Sequence, residues 1–562
     1  MLTAVTITGP DADLLGAVGA LRDSVAAPRL PLAADGVVAT RRIQADLIRR
    51  LDDYLIPRLR QPEGPVHIVV GGSTGVGKST LVNSLVRQEV SKAGVLRPTT
   101  RSAVLCVNPS EVAAVTGPER LLPAFLRAPG PTERADALTL APHPAIPAGI
   151  ALIDAPDVNS IVADNRDAGE RLLGAADAWL LVTTAERYAD AVPWRLLQAA
   201  LERRVTVAIV LNRVPPESLR EVREAGQALL SVNGLGDLPL FTVPESVLTG
   251  GLLPEYLLDP LMTWLRSTAH DPTMRQATIA ATVNGMFDDL PRRLGAIADG
   301  LAAQAETADQ MRNQADLAYA SERISLHDAI AQGELLRGSP LLEWQAMIGP
   351  DRATALFSAG DPAAETARRL LLGAAADQVA AAASRAAEQV AAVWREALAD
   401  QDSAEALVSA GTRAGAVPPE LDEWADALVD LLAREPHRKR SDAQFFAAGR
   451  NGPAALLAAV VFTGRRGAAP PKRRRALRSS SPSSERVVHP VAAATRRLAD
   501  AVFGADETDR LAELASTSLD TSLGALFDRL AFRHHRALSD LGVEPGAGKA
   551  LLEAGQAVQR AR

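Results

Sequence analysis

Cysteine, lysine and aromatic residues are scarce in this sequence of 562 residues. The one cysteine, Cys106, excludes a disulfide framework and a zinc cluster within one chain, which suits a reducing cytoplasm. Aromatic residues are only 4% of the composition against 47% apolar residues, so much of the chain should be helix with small side chains in close contact. The formal net charge of −7 gives no general signature of nucleic-acid binding, and we expect no nucleic-acid partner.

Long hydrophobic runs are also missing. The longest apolar stretch, residues 453–462, is about half as long as a membrane-spanning helix. Residues 1–20 lack the basic segment and apolar core of a signal peptide. We therefore expect a cytoplasmic protein, either soluble or peripheral to a membrane.

The most specific pattern that is present lies in residues 67–80. They read HIVVGGSTGVGKST, which is an apolar strand, a glycine-rich turn and the start of a helix. The part from Gly72 to Ser79 fits the phosphate-binding loop G-x-x-x-x-G-K-[ST]. Such a loop points backbone N–H groups at phosphate oxygens, and the helix adds the positive end of its dipole. The residues predicted to contact nucleotide are Gly72, Ser73, Thr74, Gly75, Val76, Gly77, Lys78, Ser79 and Thr80.

Two side chains of this loop carry the chemistry. Lys78 brings a positive charge to the β- and γ-phosphates, and the Ser79 hydroxyl is a ligand for Mg²⁺. Lysine occurs at only five positions, so a chance match is improbable, roughly under one in a hundred. A second glycine-lysine segment, GAGKA at 546–550, lacks the hydroxyl and follows no strand. We predict that it is a loop flanking a helix.

The order of apolar patterns predicts an α/β region followed by a helical one. Strand patterns occur near 67–71, 102–107, 148–153, 178–183, 206–211 and 238–243, with helical patterns between them. This alternation predicts a mostly parallel sheet with helices on both faces. Helices are predicted at 11–26 and 38–60 before the sheet, and after residue 270 at 272–332, 340–357, 362–400, 403–433, 491–540 and 547–560.

Three further motifs favour a GTPase over other P-loop proteins. Residues 96–101 read LRPTTR before a strand, about where the switch threonine of a GTPase lies. Residues 150–154 read IALID, an apolar strand that ends in a carboxylate suited to holding Mg²⁺ through water. Residues 208–215 read AIVLNRVP, which is close to a strand followed by the guanine-reading Asn-Lys-x-Asp.

At these motifs the chain resembles the dynamin-like and Era-like branch of bacterial P-loop GTPases. It is more closely similar to a group of actinobacterial GTPase-domain proteins with helical C-terminal halves. The matching segments are 72–79, 97–101, 154–157, 187–194 and 211–215, with 336–338 and 342–345 in the helical half. The resemblance implies an N-terminal segment at 1–36, a P-loop GTPase domain at 37–270 and a helical domain at 271–562.

The resemblance also implies roles for residues and partners. It gives Mg²⁺ the ligands Ser79 and Thr100, with Asp154 holding a metal-bound water, and it makes Lys78 and Thr100 the catalytic pair. Asn212 would face the base, with Arg213 beside it. The implied cofactors are Mg²⁺ and GTP, with ATP left open, and the implied protein partner is a second copy or a related GTPase.

Two positions depart from the family pattern. Asp157 stands where Asp-x-x-Gly has the glycine whose N–H would contact the γ-phosphate, so a residue with a negative side chain takes its place. Pro215 stands where the guanine-reading aspartate is expected, which removes the carboxylate that accepts from guanine. No glutamine follows Asp157 at the position that orients water in Ras-like enzymes. We expect slow hydrolysis and a reduced preference for guanine.

A basic segment lies beside the longest apolar run. Residues 463–488 are rich in proline, serine and arginine, which predicts a flexible loop. Its basic residues at 465–478 would either contact anionic lipid or form a solvated linker. The adjacent apolar run 456–462 would either contact lipid as well or belong to the core. The basic residues are Arg465, Arg466, Lys472, Arg473, Arg474, Arg475 and Arg478.

Three functions remain open from the sequence alone. The first is a slow GTPase whose helical half moves between nucleotide states, as a switch or as a membrane-associated mechanical device. The second is a regulatory module that holds nucleotide with little turnover and scaffolds a partner. The third is an ATP-using protein, although the residues after Asp154 offer neither a catalytic glutamate nor a transporter-type signature.

Overall fold

A computed structural model describes residues 11–92, 102–156, 163–188, 191–350, 352–358, 362–398, 418–434, 451–464 and 490–562. Thr100, Asp157 and the basic residues at 465–478 therefore lie outside the described residues. The chain forms two compact units. The first consists of Met1–Pro28, Gly36–Ala302 and Glu544–Arg562, and the second of Arg29–Asp35 and Ala303–Val543. This division into units does not test the domain boundaries predicted from the sequence, which stay predictions.

The described residues of the first unit form an eight-stranded sheet with the spatial order β3-β4-β2-β5-β1-β6-β7-β8. Neighbouring strands are parallel, except that β2 and β5 are antiparallel. The α/β prediction is thus confirmed. The strands are β1 (Val66–Gly71), β2 (Ala103–Val107), β3 (Leu126–Ala128), β4 (Ala137–Pro142), β5 (Ile150–Asp154), β6 (Ala178–Thr184), β7 (Thr206–Val214) and β8 (Leu240–Pro244).

Two of these strands, β3 and β4, are absent from the sequence prediction. The first has only three residues, and Leu126 at its start is 51% exposed. The second begins with Ala137 directly after a polar segment and ends in Pro142. Both lie at one edge of the sheet, where short strands with a mixed pattern do not give the apolar run that marks a buried strand.

Helices of the first unit flank this sheet and precede it. The predicted helix at 38–60 consists of two α-helices joined by a π-helical turn at Leu51–Leu55. The helices are α1 (Ala12–Ala26), α2 (Val37–Arg50), α3 (Ile56–Arg60), α4 (Lys78–Val86), α5 (Val112–Thr116), α6 (Ala163–Gly174), α7 (Ala191–Glu202), α8 (Leu219–Val232), α9 (Asp259–His270), the first half of α10 (Pro272–Gln332), and α17 (Ala547–Ala561).

A buried polar network lies at the edge of the sheet where β1 and β6 begin. The carboxylate of Asp177 accepts hydrogen bonds from the Tyr54 hydroxyl at 2.6 Å, from the His67 backbone N–H at 2.7 Å and from the Arg58 guanidinium. Burial, together with the charge of Arg58, lowers the pKa of His67 to about 3. The imidazole is therefore neutral in the folded protein at physiological pH.

The second unit is helical and is held by a large apolar core. Three buried tryptophans connect its helices, because each indole N–H donates to a distant group: Trp344 to Thr495 Oγ1, Trp394 to the Met311 carbonyl and Trp424 to the Ala515 carbonyl. The remaining helices are α11 (Gly338–Met347), α12 (Ala363–Ala397), α13 (Pro419–Arg434), α14 (Asn451–Thr463), α15 (Pro490–Phe503) and α16 (Ala505–Ser539).

The apolar run 456–462 lies within α14, whose residues are buried from Gly452 to Thr463. This helix packs against α12, α13, α15 and α16. Of the two interpretations of the run, the structure supports the core. Gly504, with φ of 87°, separates α15 from α16, so the helix predicted at 491–540 is two helices. Across the described residues, the apolar stretches of the helices all fall short of a membrane span.

Candidate nucleotide-binding site

The phosphate-binding loop follows β1 and precedes α4, as the motif requires. Gly72 and Gly77 have φ angles of 151° and 92°, which side chains rarely adopt. A Cβ atom on Gly72 would overlap the carbonyl oxygen of Val182, and one on Gly77 would lie 2.5 Å from Nδ2 of Asn212. The two glycines therefore allow the loop backbone to pass close to Val182 and Asn212.

Lys78 is the first residue of α4, and its side chain is buried with 6% exposure. The ammonium donates to the backbone carbonyls of Gly72 at 3.1 Å and Ser73 at 3.2 Å. A buried lysine is costly unless its charge has partners. These carbonyls hold the charge at the mouth of the loop, beside the helix N-terminus that favours an anion.

Asp154 ends β5, whose neighbour β1 carries the loop. In the parallel register Asp154 pairs with Val70, so its carboxylate lies at the same edge of the sheet as the loop. The side chain is fully buried, and Oδ2 accepts a hydrogen bond of 2.7 Å from the Ser91 hydroxyl. The role of holding a water on Mg²⁺ stays a prediction for this carboxylate.

Ser91 contacts the candidate site through Asp154, and the sequence did not predict this contact. Asn83, on the buried side of α4, holds it through both amide atoms: Nδ2 donates to the Ser91 carbonyl at 2.7 Å, and Oδ1 accepts from the Ser91 N–H at 2.8 Å. Asn83 itself could have indicated this contact in the sequence, because it is a polar residue on the apolar face of a helix. The chain after α4 is thereby fixed against the strand-terminal carboxylate of Asp154.

Asn212 lies near the end of β7 with 4% exposure, and its Nδ2 donates to the Val76 carbonyl at 2.8 Å. The structure thus brings the Asn-Arg motif against the phosphate-binding loop. Arg213 has a φ of 55° and an exposed side chain, and its Nε would lie 3.8 Å from a Cβ built on Gly77. Both residues flank the loop on the side of β7.

Two other predicted residues follow the loop glycines. Ser79 and Thr80 are partly exposed in the first turn of α4. The second glycine-lysine segment differs: α17 begins at Ala547, so Lys549 lies in a helical turn and not in a flanking loop. Its side chain is 83% exposed and pairs with Glu553.

The residues present fit a nucleotide with Mg²⁺. Gly72 and Gly77 let the loop pass close to Val182 and Asn212, and a buried cation and a buried carboxylate lie at the same sheet edge. Ser79, on the loop side, and Asp154, on the strand side, would hold the metal. Mg²⁺ keeps several waters and binds through one or two protein oxygens together with phosphates. In the described part of the chain, no cluster of three or more His, Cys, Asp or Glu side chains forms a metal site.

No protein-family model matches the sequence, and no curated protein does. The fold is similar to solved structures. One is an oligomerised bacterial dynamin pair described as sensing and tethering membranes over long range, with 11% identity and a TM-score of 0.42 over 97% of this chain and 94% of the other.

Two other solved structures are also similar. Era from Aquifex aeolicus, bound to GDP·AlF4⁻, has 18% identity and a TM-score of 0.24 over 36% of this chain and 56% of its own. LeoA, a bacterial dynamin GTPase from ETEC, has 10% identity and a TM-score of 0.23 over 98% of both chains. Bacterial dynamins and Era are the groups that the sequence motifs resemble, and the solved structures to which this chain is similar come from those groups.

Proposed function

We propose that this protein binds a nucleoside triphosphate together with Mg²⁺, prefers GTP to ATP, and hydrolyses it slowly, and that hydrolysis changes the conformation of the helical half. The observation that supports this most is the arrangement at the sheet edge. The glycine loop holds the Lys78 ammonium against its own carbonyls, and the Asp154 carboxylate lies on the neighbouring strand. A triphosphate is the ligand that such a loop and cation accommodate.

Mg²⁺ would neutralise charge on the bound phosphates. In this proposal Ser79 and Thr100 are its protein ligands. Asp154 acts through a water, and the Ser91 hydroxyl orients its carboxylate. Lys78 exchanges its two carbonyl partners for phosphate oxygens, so its charge is not left unpaired when the ligand enters or leaves. Asn212 keeps the loop in the shape that the phosphates require.

Slow turnover follows from the residues after β5. No glutamine follows Asp157 to orient a water, and Asp157 brings a negative charge where a backbone N–H would contact the γ-phosphate. These features also favour the second candidate function, a module that holds nucleotide with little turnover. Phosphate release from [γ-³²P]GTP under single-turnover conditions separates the two: a slow first-order release supports the enzyme, and intact GTP over many hours supports the module.

The decisive experiment is calorimetric titration of the full chain with GTP, GDP and ATP in the presence of Mg²⁺. Lys78→Ala should abolish triphosphate binding with the fold intact, because it removes the ammonium that the Gly72 and Ser73 carbonyls hold at the mouth of the loop. Lys549→Ala is the matched control, since it removes a lysine from a similar sequence at an exposed helix start. Unchanged affinity in Lys78→Ala would refute the phosphate-loop assignment.

We also propose that the protein is cytoplasmic and that the basic residues at 465–478 bring it to anionic membrane surfaces, with each charge contributing about 1 kcal/mol near the surface. The neighbouring apolar helix α14 is buried, so charge alone would drive this contact. Binding should then be weak and sensitive to salt. Flotation with neutral and anionic liposomes tests it: equal flotation with both, or full binding after all seven basic residues are changed to glutamine, would identify the segment as a linker.

Self-association, or pairing with a related GTPase, is the partner that we propose from the family resemblance. Light scattering of the full chain with GDP and with a non-hydrolysable GTP analogue tests it. A mass that rises only with the triphosphate analogue supports association coupled to the nucleotide state. A monomer in both states contradicts it.

A further inference from the structure

The corner of the sheet where β7 and β8 end carries a carboxylate that the proposed nucleotide site does not yet use. Val214 pairs with Pro244 at the ends of the two strands. The next residue, Glu245, donates its backbone N–H to the Val214 carbonyl at 2.8 Å. Glu245 is therefore fixed beside Val214 and Pro215, at the place where the guanine-reading aspartate is absent.

A guanine base needs an acceptor at this place. Its Watson–Crick edge presents the N1–H and the 2-amino group as two donors, and one carboxylate accepts both. Pro215 has no polar side-chain atom, so it leaves both donors without a partner, and a buried donor without a partner costs about 1 to 3 kcal/mol. Adenine presents an acceptor at N1, which a carboxylate repels. A carboxylate here thus distinguishes the two bases.

Glu245 is able to act as this acceptor. Its side chain is exposed, and within the described part of the chain no ion pair or hydrogen bond engages its carboxylate. The backbone bond to Val214 fixes its Cα, although the residue lies outside the regular strand. The side chain extends from the residue that follows β8 and not from Pro215 itself.

The next residue gives an independent indication of a ligand at this corner. The Ser246 hydroxyl oxygen is buried, and it has no hydrogen-bond partner among the residues that the structure describes. Buried polar groups are almost always hydrogen-bonded, so an exception needs a cause. A bound base that reaches this corner would provide the missing partner.

The other flank of the same space is formed by the loop and β7. Asn212 holds the Val76 carbonyl, and the Arg213 side chain lies beside Gly77. A base attached to phosphates in the loop would lie between this flank and the segment that begins at Glu245. A second carboxylate near Pro215 is that of Glu217, which is exposed in a 3₁₀ turn at Pro216–Ser218. Glu217 lacks a backbone bond to Val214, which favours Glu245.

We propose that Glu245 replaces the missing aspartate and accepts from the N1–H and 2-amino group of guanine, with the Ser246 hydroxyl as a further hydrogen-bonding group. This inference rests on the proposed nucleotide function and adds the residue that selects the base. Glu245 is here a specificity residue and takes no part in hydrolysis.

The test is calorimetric titration of the full chain with Mg²⁺ and GTP, ATP or xanthosine triphosphate, in the wild type, Glu245→Gln and Glu217→Gln. Glu245→Gln should lower GTP affinity about tenfold, which corresponds to about 1.4 kcal/mol, and leave ATP affinity unchanged or higher. It should also raise affinity for xanthosine triphosphate, because the amide N–H₂ can donate to the 2-oxo group while its oxygen accepts from N1–H. A purely structural role would not produce this gain.

Glu217→Gln is the matched control, and it should bind all three nucleotides as the wild type does. The inference is overturned if Glu245→Gln keeps the wild-type ratio of GTP to ATP affinity and gains none for xanthosine triphosphate, or if these changes appear in Glu217→Gln instead. In both cases the proposed nucleotide function still stands if the wild type binds GTP and Lys78→Ala does not. A wild type that binds no nucleotide overturns both.

Discussion

Replacing Asn212 by aspartate should weaken the binding of every nucleotide, whatever its base. The amide Nδ2 donates to the Val76 carbonyl at 2.8 Å, and the side chain is 4% exposed. Aspartate has almost the same shape, but it puts an acceptor oxygen where the donor was. The bond is lost, and two oxygens face each other across the loop.

The size of the effect follows from the burial of this bond. Leaving a buried polar group without its partner costs about 1 to 3 kcal/mol. If the substitution destabilises the loop conformation that binds the phosphates by this amount, the affinity for nucleotide drops about 5- to 150-fold. Because Val76 lies in the phosphate-binding loop, GTP, GDP, ATP and inorganic tripolyphosphate, which has no base, should all lose the same factor.

Calorimetry with these four ligands measures the effect, and circular dichroism checks the fold. Asn233→Asp is a control of the same chemistry, because the Asn233 amide also donates to a carbonyl at 2.8 Å but is exposed at the end of α8. Wild-type affinities in Asn212→Asp would refute the role of this bond in the loop. A loss confined to GTP and GDP would show that Asn212 acts on the base and not on the loop.

Three further variants test other parts of the structure. Gly77→Ala should abolish nucleotide binding in the same titration, since its Cβ would lie 2.5 Å from Nδ2 of Asn212, whereas Gly250→Ala, at a similarly positive φ but in open space, should not. Ser91→Ala should raise the Mg²⁺ concentration needed for half-maximal GTP binding several-fold, because the Asp154 carboxylate loses the donor that orients it, and an unchanged Mg²⁺ titration would contradict this. The unfolded chain takes up a proton at His67 below its ordinary pKa of 6.5, whereas the folded chain does so only near pH 3, so stability should fall as pH drops through this window, by about 2 kcal/mol at pH 5. His67→Gln should flatten that part of the melting-temperature profile against pH, and identical profiles would refute it.

The parts of the site that the sequence predicted are those that depend on consecutive residues. The loop from Gly72 to Ser79 consists of consecutive residues, and the Lys78 ammonium bonds to carbonyls of the same loop, so a local pattern predicts it. Asp154 was also found this way, because it directly follows an apolar strand. The α/β order was predictable for the same reason, since each buried strand is a short apolar run.

The parts that were missed depend on how distant segments pair. Ser91 reaches Asp154 only because Asn83 fixes the chain after α4 against β5. Glu245 lies beside Pro215 only because β7 and β8 pair in one register. Neither relation leaves a pattern in the sequence. For the apolar run 456–462 the sequence pattern was visible but ambiguous, because its composition fits a core helix and a lipid contact equally. The helices that pack around it show that it belongs to the core.

The burial of α14 has a consequence for how the helical unit is divided or cut. Its neighbours include α12 and α13 before it and α15 and α16 after it. A protein truncated anywhere between residues 464 and 490 would keep this apolar helix but lose two of the helices that cover it, and such a fragment should aggregate. A full-length chain cleaved by an engineered protease site in the same interval should behave differently. Its two pieces would stay together after cleavage, since the contacts of α14 cross the cut, and they would separate only when the unit unfolds.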